Sequence, residues 1–164
     1  MIKIAIDAMG GDFAPEQQVK GTIEALQKDK DFSALLVGDE ARVKAELQKY
    51  KYDVSRVEIV HAPEVITNDD VPTKAVKTKK DSSTVVAFQL LKEGKADALV
   101  SSGATGAVLA AAVMILGRIK GISRPALCPR IPNLRGTGTL LCDCGANLEC
   151  KPDRSEERRV GKEC

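Results

Sequence analysis

The amino-acid sequence predicts an α/β protein whose largely parallel sheet has helices on both faces. The chain of 164 residues, 43% of them hydrophobic, is long enough to form a domain with a buried core. Short apolar runs alternate with segments of helical periodicity, a pattern typical of βαβ units. Four of these runs end in small or acidic residues, as expected where the carboxyl ends of parallel strands meet at one edge of a sheet.

The first half of the chain contains three predicted strands separated by two predicted helices. The strands are IKIAIDA, SALLVG and RVEIV. Pro15 suits the start of the first helix. One helical face is then marked by Val19, Ile23 and Leu26. The second helix is marked by the recurrence of Val43, Leu47 and Tyr50.

The second half continues the alternation after a polar interruption. The segment HAPEVITNDDVPTKAVKTKK contains two prolines and is predicted to be a loop. Ser82, Ser83 or Thr84 then caps a helix that runs to about Glu93. DALVS is a fourth strand, and residues 106–116 form the next helix. PALCPRIP is expected to be extended or a strand, and TLLCDCG a further strand.

Composition and charge argue against several classes of protein. A net charge of +2 and 3% aromatic residues do not favour binding to nucleic acid. No apolar run is long enough to span a bilayer, and MIKIAIDAMGGD is too quickly charged for a signal peptide. We therefore expect a cytoplasmic protein. The 5 cysteines, an odd number, argue against a secreted disulfide framework.

The C-terminal residues 154–164, RSEERRVGKEC, differ abruptly in character from the sequence before them. One interpretation is a solvated charged tail. The other is a non-native segment, because these residues resemble the translation of a common sequencing adapter. We expect the second, and exclude them from the fold. The predicted domain therefore comprises residues 1–153.

The loop SSGATG, residues 101–106, is a candidate phosphate site at the end of the fourth strand. Gly103 and Gly106 allow close approach of the backbone, and Ser101, Ser102 and Thr105 offer hydroxyl donors. The Gly-Lys-Ser/Thr ending of a P-loop is missing. A tightly packed turn without a ligand is the structural alternative.

The segment DAMGGD offers a second candidate site at the end of the first strand. Asp7 and Asp12 are expected near the substrate, with Gly10 and Gly11 allowing an unusual backbone path. The structural alternative is that Asp7 caps a turn and Asp12 caps the helix that follows. Spacing alone favours that alternative.

Five segments, in one order and at fitting distances, resemble a known family. They are IKIAIDAMGGDFAPEQQVKG, ALLVGD, AVKTKKDSSTVVA, SSGATGAVLAAAVMILGRIKGISRPAL and LLCDCGANLECKP. Together they are similar to the N-terminal half of the bacterial phosphate acyltransferases of phospholipid synthesis. The resemblance implies a sandwich like those of phosphotransacetylase and isopropylmalate dehydrogenase. It also implies a homodimer, and peripheral membrane association through a half that is not present here.

The resemblance implies that a long-chain acyl group passes from acyl-carrier protein to inorganic phosphate, without a cofactor. The loop matches the family's Ser-Ala-Gly-Asn-Thr-Gly turn except at Ser102 and Ala104, and Ala104 lacks the family's amide. The catalytic residues carried over are Thr105, Asn147 and Lys151, although an ordinary surface lysine is an equal alternative for Lys151. The family has apolar residues where this chain has cysteines, so no metal is expected.

Basic residues supply candidate docking sites for the acidic carrier protein. They are Lys77, Lys79, Lys80, Arg118 and Lys120. A solvated charged face is the alternative for these residues. Two other functions stay open: a non-catalytic module that binds a nucleotide or phosphate, and a phosphotransacetylase acting on acyl-coenzyme A. The chain of 164 residues is expected to be inactive alone.

Overall fold

The computed structural model describes residues 1–121, 125–134 and 136–141. These residues divide into two compact units, of which the first is Met1–Gly117 and the second begins at Arg118. The predicted boundary between residues 153 and 154 lies outside the described residues. No helix in the described ranges combines the length and apolarity needed to cross a bilayer.

The first unit is built on a parallel sheet. Its strands are β1 (Ile2–Asp7), β2 (Phe32–Gly38), β3 (Val57–His61) and β4 (Ala98–Val100). The order across the sheet is β3-β2-β1-β4, with every pairing parallel. Because β1 pairs with β4 from Ile4↔Ala98 to Ile6↔Val100, the loops after these two strands leave the same edge side by side.

Helices cover both faces of this sheet. They are α1 (Glu16–Lys28), α2 (Glu40–Leu47), α3 (Pro72–Thr78), α4 (Ser83–Lys92) and α5 (Thr105–Ala111). Ala34 and Leu36 of β2 are buried in the core that α1 and α2 share, whereas Leu35 and Val37 are buried with Ala87 of α4. The alternation follows from the two-residue period of a strand. The predicted α/β class, with helices on both faces, is confirmed.

The predicted helix boundaries agree with the structure to within a few residues. Pro15 lies at the N-cap of α1 rather than inside it, and Ser82 caps α4 by accepting from the backbone N–H of Val85. The helix α5 begins at Thr105 and continues as a π-helical turn, Ala112–Leu116. Tyr50 lies beyond α2, but it still packs against the same core.

The predicted loop of residues 61–80 is wrong in part, because α3 forms within it. Pro72 is the first residue of α3, a position where its missing N–H costs nothing. Ala75 and Val76 are buried and pack with Val85 and Phe88 of α4. Pro72 and the apolar pair Ala75 and Val76 were therefore local indications of a helix, but the polar residues around them favoured the prediction of a loop.

The second unit contains a short antiparallel ladder. Its strands are β5 (Arg130–Ile131) and β6 (Thr139–Leu140), with Arg130 opposite Leu140. Both lie within segments for which strands were expected. They pair with each other in a two-stranded sheet of their own.

Candidate functional site

An open cleft of about 560 Å³ lies in the first unit, where the loops after β1 and β4 meet. This is the edge at which ligands of parallel α/β proteins bind. We call one group of lining residues the glycine wall: Met9, Gly11, Asp12, Phe13, Gln17, Gln18, Ser102, Gly103 and Ala104. We call the other group the threonine wall: Val65, Ile66, Thr67, Asn68 and Asp69.

The glycine wall is held together by side chains that bond to backbone atoms. The hydroxyl of Ser102 donates to the carbonyl of Gly10 at 2.9 Å and accepts from Nε2 of Gln18 at 3.0 Å. Nε2 of Gln18 also donates to the Gly10 carbonyl. The first turn of α1 and the loops after β1 and β4 are therefore one hydrogen-bonded unit.

Two glycines of the loop after β1 have no room or no suitable backbone for a side chain. A Cβ on Gly10 would lie 2.8 Å from the backbone nitrogen of Gly103 and 2.9 Å from Oδ2 of Asp7. Gly11 has a φ of 102°, a conformation that other residues rarely adopt. The unusual backbone path expected at these glycines is therefore present at Gly11, and the close packing at Gly10 shapes the cleft.

The structure places Asp7 beneath the glycine wall rather than among the lining residues. Its carboxylate is fully buried and accepts hydrogen bonds from Thr84, Ser101 and the backbone of Met9. Asp12, by contrast, is exposed and lines the cleft. Of the two carboxylates expected near the substrate, Asp12 alone has direct access to the cleft.

The remaining residues of the loop after β4 have different surroundings. Thr105 is exposed at the first position of α5. Gly106 lies against α3, where an added Cβ would come within 2.9 Å of Cγ of Pro72. Gly106 thus allows α5 to pack closely on α3, whereas Thr105 keeps its hydroxyl accessible. The expected catalytic residues Asn147 and Lys151 lie outside the described residues.

The threonine wall is braced by an ion pair. Nζ of Lys79 lies 2.6 Å from Oδ2 of Asp70 and donates to the carbonyl of Val65 at 3.0 Å. Asp70 also accepts from the backbone N–H of Thr67 at 2.8 Å. Lys79 holds the pKa of Asp70 below its ordinary value of 3.8, and the N–H of Thr67 lowers the pKa further.

The basic residues predicted to dock the carrier protein are not equivalent in the structure. Lys79 is committed to the brace of the threonine wall, with its side chain 32% exposed. Lys77 and Lys80 are exposed on and beyond the last turn of α3. Arg118 and Lys120 are exposed in the second unit.

Several cleft residues were missed in the sequence. Phe13 is 71% exposed although it is a large apolar residue, and Gln18 connects the two loops of the glycine wall. Neither has a distinctive sequence signal beyond its closeness to MGGD. The threonine wall was missed because residues 65–69 lie in a segment predicted to be a loop, and only the lysines at the end of that segment were considered for a site. In the described part of the chain, no cluster of three His, Cys, Asp or Glu residues could hold a metal.

The sequence model of a family described as "Fatty acid synthesis protein" matches residues 2–156. The chain belongs to this family. The resemblance inferred from the five segments is confirmed, because several proteins named phosphate acyltransferase are about half identical to the chain. The protein from Clostridioides difficile (strain 630) is 50% identical over 151 residues, which is 92% of this chain and 44% of that protein.

Other relatives give the same result. A phosphate acyltransferase from Fusobacterium nucleatum is 53% identical over 152 residues, or 93% of this chain and 46% of that protein. One from Dictyoglomus turgidum is 51% identical over 156 residues, or 95% and 46%. The chain therefore spans about half the length of the curated relatives it matches.

A solved structure supports the fold. The chain is similar to the crystal structure of a phosphotransacetylase from Streptococcus pyogenes, with a TM-score of 0.64 and 19% sequence identity. The match covers 97% of this chain and 51% of that one. The predicted phosphotransacetylase-like fold is confirmed.

Proposed function

We propose that this chain, within a protein of its relatives' length, transfers a long-chain fatty acyl group from acyl-carrier protein to inorganic phosphate. The observation that carries the proposal is the 50% identity to a protein named phosphate acyltransferase over 92% of the chain. The cleft adds support because it lies at the ligand-binding edge of the sheet and combines polar loops with the exposed ring of Phe13.

The proposed reaction exchanges a thioester for an acyl phosphate. A phosphate oxygen attacks the thioester carbonyl carbon, the C–S bond breaks, and the carrier's thiolate leaves and takes up a proton. Two demands follow for the protein. It must hold phosphate beside the thioester, and it must offer fixed donors to the negative charge that develops on the carbonyl oxygen.

In our proposal the glycine wall and α5 meet these demands together. The backbone around Gly11 and Gly103 lies at the cleft without a side chain in the way, and Thr105 offers an exposed hydroxyl. Gly10, Ser101, Ser102 and Gly106 hold that arrangement. Asn147 is proposed as a further side-chain donor, and Lys151 as a positive charge for phosphate.

Carrier-protein docking is assigned to the exposed cations. Lys77 and Lys80 are the proposed contacts in the first unit, and Arg118 and Lys120 in the second. Lys79 is left out because its ammonium group is paired with Asp70. Complementary charge would mainly raise the association rate, so added salt should raise the KM for the carrier protein.

The proposal extends to assembly and location. We infer a cytoplasmic homodimer in the protein of full family length, without a cofactor, which associates peripherally with the membrane through residues beyond this chain. These inferences rest on the family resemblance.

The test is product analysis on a chimera in which the 151 matching residues of this chain replace their counterparts in the C. difficile relative. With long-chain acyl-carrier protein and phosphate, we expect acyl phosphate, trapped as the hydroxamate, and free carrier protein. Acetyl-coenzyme A should be a poor donor, and the 164-residue chain alone should give no product. An active C. difficile protein alongside a folded but inactive chimera would contradict the proposal.

A further inference from the structure

The carboxylate of Asp7 connects three separate parts of the chain. Oδ2 accepts from the hydroxyl of Thr84 at 2.8 Å and from the hydroxyl of Ser101 at 2.9 Å. Oδ1 accepts from the backbone N–H of Met9 at 3.3 Å. One side chain at the end of β1 thus contacts the first turn of α4 and the loop after β4.

Such a carboxylate is costly to bury. Asp7 is fully buried, and a charged group is tolerated inside a protein only when hydrogen bonds replace those it made with water. Its acceptor sites meet three donors, which offset the cost. An apolar side chain would fill the same space without that cost, but it could not orient the donors.

The hydrogen bond to Ser101 continues into the wall of the cleft. A hydroxyl carries one hydrogen, and a carboxylate can only accept, so the hydrogen of Ser101 points at Asp7. A lone pair of the same oxygen is then free to accept from the backbone N–H of Gly103, which lies at 3.1 Å. The direction of the Ser101 hydroxyl therefore fixes the backbone of Gly103, a cleft-lining residue.

The packing around the carboxylate leaves little freedom. A Cβ on Gly103 would lie 3.3 Å from Oγ of Ser101 and 3.5 Å from Oδ2 of Asp7. The backbone of this loop thus lies directly against the buried oxygens. A small change in the carboxylate is expected to move the loop rather than leave a cavity.

We propose that Asp7 is a positioning residue, which acts through Ser101 and Gly103 to set the shape of the glycine wall without contacting substrate. Its effect on the wall stands on the hydrogen bonds alone. Its effect on acyl transfer rests on the proposed function.

The first test measures hydrogen exchange of the Gly103 amide in the 164-residue chain. Asp7→Asn and Ser101→Ala should each speed that exchange by about tenfold, as expected for one lost hydrogen bond, and Thr84→Val should do so less. Asp97→Asn is the matched control, because Asp97 is an exposed carboxylate beside β4 that accepts from the backbone of Lys3. It should leave Gly103 unchanged.

The second test measures turnover in the C. difficile chimera. Asp7→Asn should lower kcat by about 100-fold and leave the KM for acyl-carrier protein unchanged, because misplacement impairs the reaction rather than docking. Adding Ser101→Ala should cause little further loss, since both changes disturb the same loop.

The outcomes separate this inference from the proposed function. Unchanged Gly103 exchange in folded Asp7→Asn would overturn the positioning role, whatever happens to turnover. If that variant does not fold, unchanged exchange in Ser101→Ala overturns it instead. Faster exchange in the variants, with a parent chimera that makes no acyl phosphate, would support the positioning role and reject the proposed function.

Discussion

The two walls of the cleft are stabilised by different interactions. The glycine wall depends on two hydrogen bonds, from Ser101 to Asp7 and from Ser102 to the carbonyl of Gly10, and on glycines that leave no space for a side chain. The threonine wall depends on an ion pair whose partners, Lys79 and Asp70, are 32% and 25% exposed. The stability of the glycine wall should therefore depend on side-chain volume. That of the threonine wall should depend on pH and salt, since solvent screens exposed charges.

The largest expected effect is steric and falls on the glycine wall. Gly10→Ala would place a methyl group 2.8 Å from the backbone nitrogen of Gly103, where neither partner can rotate away. We expect the free energy of unfolding, measured with urea, to fall by about 2 kcal/mol. Gly21→Ala is the control, because Gly21 lies within α1 with nothing within 4 Å.

The control substitution should change the free energy of unfolding in the opposite direction. Alanine is the better helix former, so Gly21→Ala should raise the free energy of unfolding by about 0.5–1 kcal/mol. Equal effects of the two substitutions would mean that the glycine wall is not tightly packed.

The next effect concerns two adjacent serines, Ser82 and Ser83, which follow the brace residue Lys79 in the sequence. Ser82 caps α4 and donates to the carbonyl of Lys79 at 2.8 Å. The hydroxyl of Ser83 is buried and meets no hydrogen-bond partner within the ranges the structure describes. Ser82→Ala should cost about 1 kcal/mol in the free energy of unfolding. Ser83→Ala should be neutral or slightly stabilising, and a loss equal to that of Ser82→Ala would show an unrecognised partner.

A smaller effect is expected from Lys79→Met, which removes the brace but keeps most of the aliphatic stem. The urea midpoint should fall, by less than for Gly10→Ala, and exchange of the Thr67 amide should rise while that of Gly103 stays the same. Lys95→Met provides the control, since the Lys95–Glu93 pair is 66% and 53% exposed and lies away from the lining residues. Faster exchange at Gly103 in Lys79→Met would show that the walls are not independent.

The smallest effect is the pH dependence of the stability difference between the parent chain and Lys79→Met. Lys79, and then the N–H of Thr67, lower the pKa of Asp70 in the folded state, so the brace contributes fully above the unfolded value of 3.8. Its contribution is lost as the pH falls through the folded value. The stability difference between the parent chain and Lys79→Met should therefore be constant above about pH 5 and shrink below about pH 4. A difference that grows on acidification would contradict this assignment.

The sequence predicted the fold better than it predicted the site. Strands such as IKIAIDA and the helix after Pro15 are local patterns, and local periodicity identifies them. The glycine wall was anticipated in part, because the candidate site residues Gly11, Asp12, Ser102 and Gly103 line the cleft. That Asp7 would be buried under Ser101 could not be predicted, since the Asp7–Thr84 contact joins residues 77 positions apart. The threonine wall was missed because its segment was predicted to be a loop, and because the run of lysines gave no sign that Lys79 pairs with Asp70, 9 positions before it.

The most direct measurement is the turnover of Thr105→Val in the C. difficile chimera, with Thr73→Val as the control. Both threonines are exposed in the first turn of a helix, so both changes remove one hydroxyl at little cost in stability. We predict that Thr105→Val lowers the rate of acyl phosphate formation by about 100-fold, the loss typical of one donor to a developing charge, while Thr73→Val leaves it unchanged. Parent-like turnover in a folded Thr105→Val chimera would contradict the claim that the first turn of α5, which follows the cleft-lining Ala104, takes part in the reaction.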